Sequence, residues 1–268
     1  MRITLFRQFD RYLMLRNKRF RALSLFTTLG MSLASFNTFA DTDIFTALDD
    51  PSTAKKSFDG DAQASYNAQS GNTRNSNLAA STTMTWFQQS NAYSLWREAA
   101  NNSSDDQRSS EKYQAGARAR HNLSTQNFLF AQGCWLSDRY NGYRSRDTLV
   151  AGYGRQVLTG PIHTLRVEAG PGVRHDEYQG GGNSTKALGY AAASYSYQLT
   201  DNTKFIQGLS LLANDDTTVN SETGLNVDIN DHFALKVAYN VTWNQNPPDS
   251  APKHTDTKTS VSLVYKMQ

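Results

Sequence analysis

The chain has 268 residues, 27 Lys and Arg against 24 Asp and Glu, and a formal net charge of +3, with a pI near 8.9. Its 38% hydrophobic content is below the roughly 45–50% of ordinary globular domains. Its 11% aromatic content nevertheless excludes wholesale disorder. Cys134 is the single cysteine, which excludes an intrachain disulfide framework and a thiolate-rich metal site.

The charge is unevenly spread. Residues 1–40 hold Arg2, Arg7, Arg11, Arg16, Lys18, Arg19 and Arg21 against Asp10, a net +6, so the other 228 residues sum to −3. The basic excess therefore gives no reason to expect a nucleic-acid partner. An apolar run from Ala22 to Phe39 follows, ending in the small-x-small tripeptide Thr38-Phe39-Ala40. A cationic start, an apolar stretch and such an ending are the parts of a secretory signal peptide. The expectation is a signal peptide over 1–40, with an uncleaved anchor as the alternative. The cationic region is long, and initiation at Met14 would give one of ordinary length. Residues 41–57 then read as a short periplasmic segment.

From Phe58 on, apolar and polar residues alternate with period two. Phe58, Gly60, Ala62, Ala64 and Tyr66 share one parity, with Asp59, Asp61, Gln63 and Ser65 on the other. Successive strand side chains point to opposite faces, so such a segment has one apolar and one polar face. Twelve segments follow this rule: 58–70, 76–88, 92–103, 110–122, 127–139, 146–158, 162–174, 185–198, 203–213, 217–229, 232–244 and 256–267. In the third, fifth and eighth, both parities carry apolar residues and the phase stays open. Several run to about a dozen residues, whereas soluble strands average about 5–6 and tilted membrane strands need about 9–11.

Connections after even-numbered segments are tight and rich in turn formers, as in Gln89-Ser90-Asn91, Thr159-Gly160-Pro161 and Thr200-Asp201-Asn202. After odd-numbered segments, longer charged loops are expected, at 103–109, 140–146, 175–184 and 244–255. An even strand count with short turns on one side and long loops on the other is the layout of an outer-membrane barrel. The expected fold is all-β, an antiparallel transmembrane barrel of about twelve strands over 58–268, both termini lying on the periplasmic side. Tyr66, Trp86, Tyr113, Trp135, Tyr153, Tyr239, Trp243 and Tyr265 would face outward, many near strand ends. The alternative is a soluble periplasmic barrel with its apolar face inward.

Charges on the polar parity are the lumen-facing candidates: Arg118, Arg120, Arg166, Glu168, Arg174 and Glu222. Such rings can set ion or solute preference, or they can fill the interior as a salt-bridged plug. The five histidines, His121, His163, His175, His232 and His254, show no metal-ligand spacing. No motif singles out a nucleophile, although an outer-wall lipid hydrolase built on His121 and a serine remains an alternative. Asp105-Asp106 and Asp215-Asp216 read as solvated loops rather than calcium sites. Gly180-Gly181-Gly182 lacks the Lys-Ser/Thr of a phosphate loop.

One resemblance spans about 44–265. The motifs Gln69-Ser70-Gly71-Asn72-Thr73, Arg108-Ser109-Ser110-Glu111-Lys112-Tyr113 and Asp138-Arg139-Tyr140-Asn141-Gly142-Tyr143 carry it. So do Gly152-Tyr153-Gly154-Arg155-Gln156, Gly170-Pro171-Gly172-Val173-Arg174, Gln198-Leu199-Thr200-Asp201-Asn202 and Leu235-Lys236-Val237-Ala238-Tyr239-Asn240. Together they resemble the YdiY family of salt-induced outer-membrane proteins. The resemblance implies an outer-membrane barrel associated with salt response, and it supplies no catalytic or binding residues. The chain departs from the usual aromatic last residue of such barrels, ending Tyr265-Lys266-Met267-Gln268. The expectation is a non-enzymatic, monomeric envelope protein of the outer membrane, without cofactor or metal. Its expected partners are outer-membrane lipid and, during assembly, the insertion machinery. A narrow channel for small solutes or ions is the second reading.

Overall fold

The computed structural model describes residues 49–267, apart from 70–74, 105–106, 139–142 and 247–253. The expected signal peptide and the Asp105-Asp106 pair lie outside the described residues. Twelve strands follow in chain order: β1 (Phe58–Gln69), β2 (Asn75–Gln88), β3 (Asn91–Ser104), β4 (Gln107–Asn122), β5 (Asn127–Asp138) and β6 (Tyr143–Thr159). Then come β7 (His163–Tyr178), β8 (Asn183–Thr200), β9 (Thr203–Ala213), β10 (Thr218–Asp228), β11 (Phe233–Asn244) and β12 (Thr255–Met267). Each pairs antiparallel with its chain neighbours, and β12 closes on β1 with Gly60 opposite Met267 and Ala64 opposite Leu263. A closed sheet leaves no edge, which is what lets strands sit in lipid.

Local chemistry fixes the tight end. Gln89, with φ 51°, lies in the two-residue turn between β2 and β3. Before β5, Ser124 Oγ accepts the Gln126 and Asn127 amides; before β11, Asn230 Oδ1 accepts those of His232 and Phe233. Short polar side chains bonding the backbone a few residues on are what such turns require.

At the other end the structure differs from the sequence reading. β6 begins at Tyr143, and β7 and β8 run to Tyr178 and from Asn183, so much of the expected loops 140–146 and 175–184 is strand. Strand length explains it. These strands reach 16–18 residues, well past the 9–11 that span a bilayer. The excess stands in water, where strand pairing tolerates polar residues such as exposed Arg144 and Asp147 on the outer face.

The eight expected outward aromatics are all exposed, from 39% at Trp243 to 64% at Tyr66. Trp86 and Tyr265 lie toward the short-turn ends of their strands, Tyr66, Trp135 and Trp243 toward the opposite ends. Two aromatic levels with leucines and valines between them form the outer surface of a membrane barrel. The inner face is less polar than the alternation suggests. Phe128 and Phe130 of β5 point inward and pack with Val150, Leu188, Tyr190 and Leu212 into a buried cluster. This resolves the phase of β5 and β8. Narrow barrels fill their interiors with side chains, so part of the lumen is a core of its own.

Candidate functional site

The site is built on β4, β5 and β7 at their short-turn ends. In β4, Arg118 stands opposite Gln132 and Arg120 opposite Phe130. The Phe128 ring lies over Gly154 of β6, where an added Cβ would come within 2.1 Å of Phe128 Cζ. Only glycine there lets the ring lie flat against the wall. The guanidiniums of Arg120 and Arg118 then stack on Phe128 and Phe130, at 3.9 and 4.6 Å from the ring centroids. The rings hold the arginines by cation–π attraction and cover their alkyl stems.

From β7, Arg166 and Glu168 complete the cluster. Arg118 donates to both Glu168 oxygens, at 3.1 and 2.7 Å, and to Gln132 Oε1 at 2.8 Å. Because β5 and β6 lie between β4 and β7, this fork reaches across the interior. Tyr190 Oη donates to Glu168 Oε1 at 3.0 Å. Arg118 and Arg120 are only 3% and 2% exposed.

A further group comes from outside the sheet. Asp49, nine residues before β1, is buried among the three arginines. Its Oδ2 accepts Arg118 Nε at 2.6 Å, and its Oδ1 accepts Arg120 Nη1 at 3.1 Å and Arg166 Nη1 at 2.5 Å. Asp50 follows, its Oδ1 taking Arg120 Nη2 at 3.2 Å and Asn122 Nδ2 at 3.0 Å. The same Oδ1 accepts the amide and hydroxyl of Ser52, and Thr53 N donates to the Asp50 carbonyl. An Asp followed by Pro is a strong turn former, and this turn aims Asp49 at the cluster. Burial alone raises the Asp49 pKa. The charges of Arg118, Arg166 and Arg120 and the Arg118 hydrogen bond overcome that and hold it well below the ordinary carboxylate range.

The remaining candidates lie apart. Arg174 is buried farther along β7, opposite Thr148 and Lys186. Glu222 of β10 pairs with Lys236 of β11 at 2.9 Å on the opposite wall. That wall carries small polar side chains, among them Gln63, Ser65, Ser81, Asn240 and Ser260, around a cavity of ≈ 60 Å³. Toward the long-loop end, Arg146 pairs with Asp176 at 2.7 Å and stacks on Tyr143 at 4.0 Å.

The histidines sit near strand ends. His121 Nδ1 meets Asn91 Oδ1, His163 meets Tyr195 Oη, His175 meets Thr185 Oγ1 and His254 meets the Asn244 carbonyl. His232 stacks on Tyr265. On the connection between β9 and β10, the Asp215 carbonyl and Asp216 Oδ1 accept from Asn246 Nδ2 and N, just after β11. The sequence reading found the four wall residues of the cluster but not Asp49. One signal was present, an Asp-Asp-Pro just before the first strand.

Comparison with known proteins bears on this frame. Residues 62–267 match the family of proteins of unknown function DUF481. The chain is 58% identical over 238 residues to the uncharacterized protein YdiY of Escherichia coli K12, covering 89% of this chain and 94% of that one. It is similar in structure to the COG4313 outer membrane channel from Pseudomonas putida F1, with TM-score 0.50 and 10% identity over 78% of this chain and 94% of that one. It is also similar to the translocator domain of the autotransporter NalP from Neisseria meningitidis, with TM-score 0.47 and 12% identity over 81% and 90% of the two chains.

Proposed function

The chain belongs to this family of unknown function, and we propose that it is a non-enzymatic outer-membrane barrel providing a narrow polar conduit for small ions. The single observation that carries this reading is the division of the interior into two unlike walls. The arginine–aromatic wall is filled by its own side chains and by Asp49. The opposite wall, on β1–β3 and β10–β12, keeps a cavity among small polar groups. Pores gain preference from the charges beside the path, here the Lys236–Glu222 and Lys258–Glu98 pairs. Each histidine contact is at most one half of a triad, an orienting Asn91 at His121 or a Thr185 hydroxyl at His175. A triad base must bond both its nucleophile and its orienting group, which favours a structural role. The association with salt is an expectation of the resemblance alone, as are a monomeric state and contact with the insertion machinery.

Planar-bilayer recording tests the conduit. Folded protein should give small uniform conductance steps, and Ser81→Trp, which fills the cavity, should reduce them at least severalfold. Absence of steps from folded, inserted protein, or a Ser81→Trp conductance equal to wild type, contradicts the conduit.

A further inference from the structure

The Asp49 carboxylate occupies a place built for a carboxylate. Both its oxygens are filled by guanidinium donors from two strands, and the aromatic cluster excludes water from one side. Of the four wall residues, three carry positive charge and one, Glu168, negative. The carboxylates of Asp49 and Asp50 bring the ligand's share of negative charge.

The segment that delivers Asp49 lies outside the sheet up to its last residue, Ser57, whose carbonyl accepts the Phe87 amide of β2. Ser52, Thr53, Lys55, Lys56 and Ser57 are exposed. Its grip on the β4 and β7 arginines is ionic, through Asp49 and Asp50, and it enters at the short-turn mouth where β1 begins. A tethered group competes as a high local concentration, and a free ligand of the same chemistry displaces it by mass action.

We propose that Arg118, Arg120 and Arg166 form an internal carboxylate-binding site that Asp49 occupies in cis, the 49–53 turn being a displaceable stopper for a small carboxylate solute. Access for that solute rests on the conduit reading, but binding itself does not. Paired guanidinium forks suit planar carboxylates over spherical chloride, so the site discriminates by shape as well as charge.

The test uses the full mature chain folded in detergent, with sodium acetate as the probe, because acetate carries the carboxylate that Asp49→Ala removes. The readout is the unfolding midpoint in acetate against chloride at equal ionic strength. For Asp49→Ala, acetate at about ten times its Kd should raise the midpoint by roughly 3–5 °C over chloride. Wild type, its site filled, should shift much less, and Asp49→Ala combined with Arg166→Gln should lose the acetate effect. Equal midpoints in acetate and chloride for Asp49→Ala overturn the proposal. If Asp49→Ala does not fold in chloride, its refolding yield replaces the midpoint as the readout. Recovery of folding yield with acetate, and not with chloride, then supports the site, and no recovery overturns it. Because binding is read without current, a failed conductance experiment leaves this result intact. Conversely, a conducting barrel without acetate binding refutes the site alone.

Discussion

At the scale of residues, Asp49 sets a definite pH behaviour. Its pKa is lowered in the folded state, so its stabilising contribution is complete above the ordinary carboxylate pKa of about 3.9 and is lost as pH falls through the lowered value. Removing one partner of a buried ionic cluster costs about 3–5 kcal/mol. The midpoint difference between wild type and Asp49→Asn should therefore stay constant from pH 8 to about pH 5 and shrink only below about pH 4. Melting curves across that range check this, and a difference that changes between pH 6 and 8 contradicts it. The wall arginines were legible in the sequence because parity alone assigns Arg118 and Arg120 to the face opposite Tyr113 and Ala117. Asp49 was not. Its partners lie 69, 71 and 117 residues away, and a contact made by a segment outside the alternating pattern leaves no periodic trace.

At the scale of elements, strand number and most boundaries were legible, since period-two alternation and turn residues act locally. The phase of β5 was not, because Phe128 and Phe130 compete with Leu129 and Trp135 for the same face. Only closure of the sheet decides which side is interior. The β6–β7 seam shows a second non-local feature. Pairing is interrupted between Val150–Gly172 and Tyr153–Ala169, around Pro171, which has no amide to donate. There Gly152 and Gly170 bring the two backbones close, and a Cβ on Gly152 would stand 2.2 Å from the Ala169 carbonyl oxygen. Gly152→Ala should cost about 1–3 kcal/mol by overpacking. Gly133→Ala, whose Cβ would meet nothing nearer than Leu149 Cδ1 at 3.7 Å, should be nearly neutral. Unfolding midpoints of the two variants check this, and equal losses would contradict the seam.

At the scale of the whole molecule, the low hydrophobic content and the many exposed apolar side chains have one cause. A membrane barrel places its apolar face outward, and here that face runs from Trp86 and Tyr265 at one level to Trp135 and Trp243 at the other. The interior holds a charge-and-aromatic wall on one side and a small polar cavity on the other. The chain's four tryptophans report on this arrangement. Trp86, Trp135 and Trp243 are outward, 39–42% exposed. Trp96 shares the inward parity of Ser94 and packs over Gly116. The most direct measurement is fluorescence of single-tryptophan variants folded into vesicles of brominated phospholipid. Emission from Trp86, Trp135 and Trp243 should be strongly quenched and that from Trp96 nearly unchanged; equal quenching at all four, or none at any, would contradict a lipid-facing apolar surface around a side-chain-filled lumen.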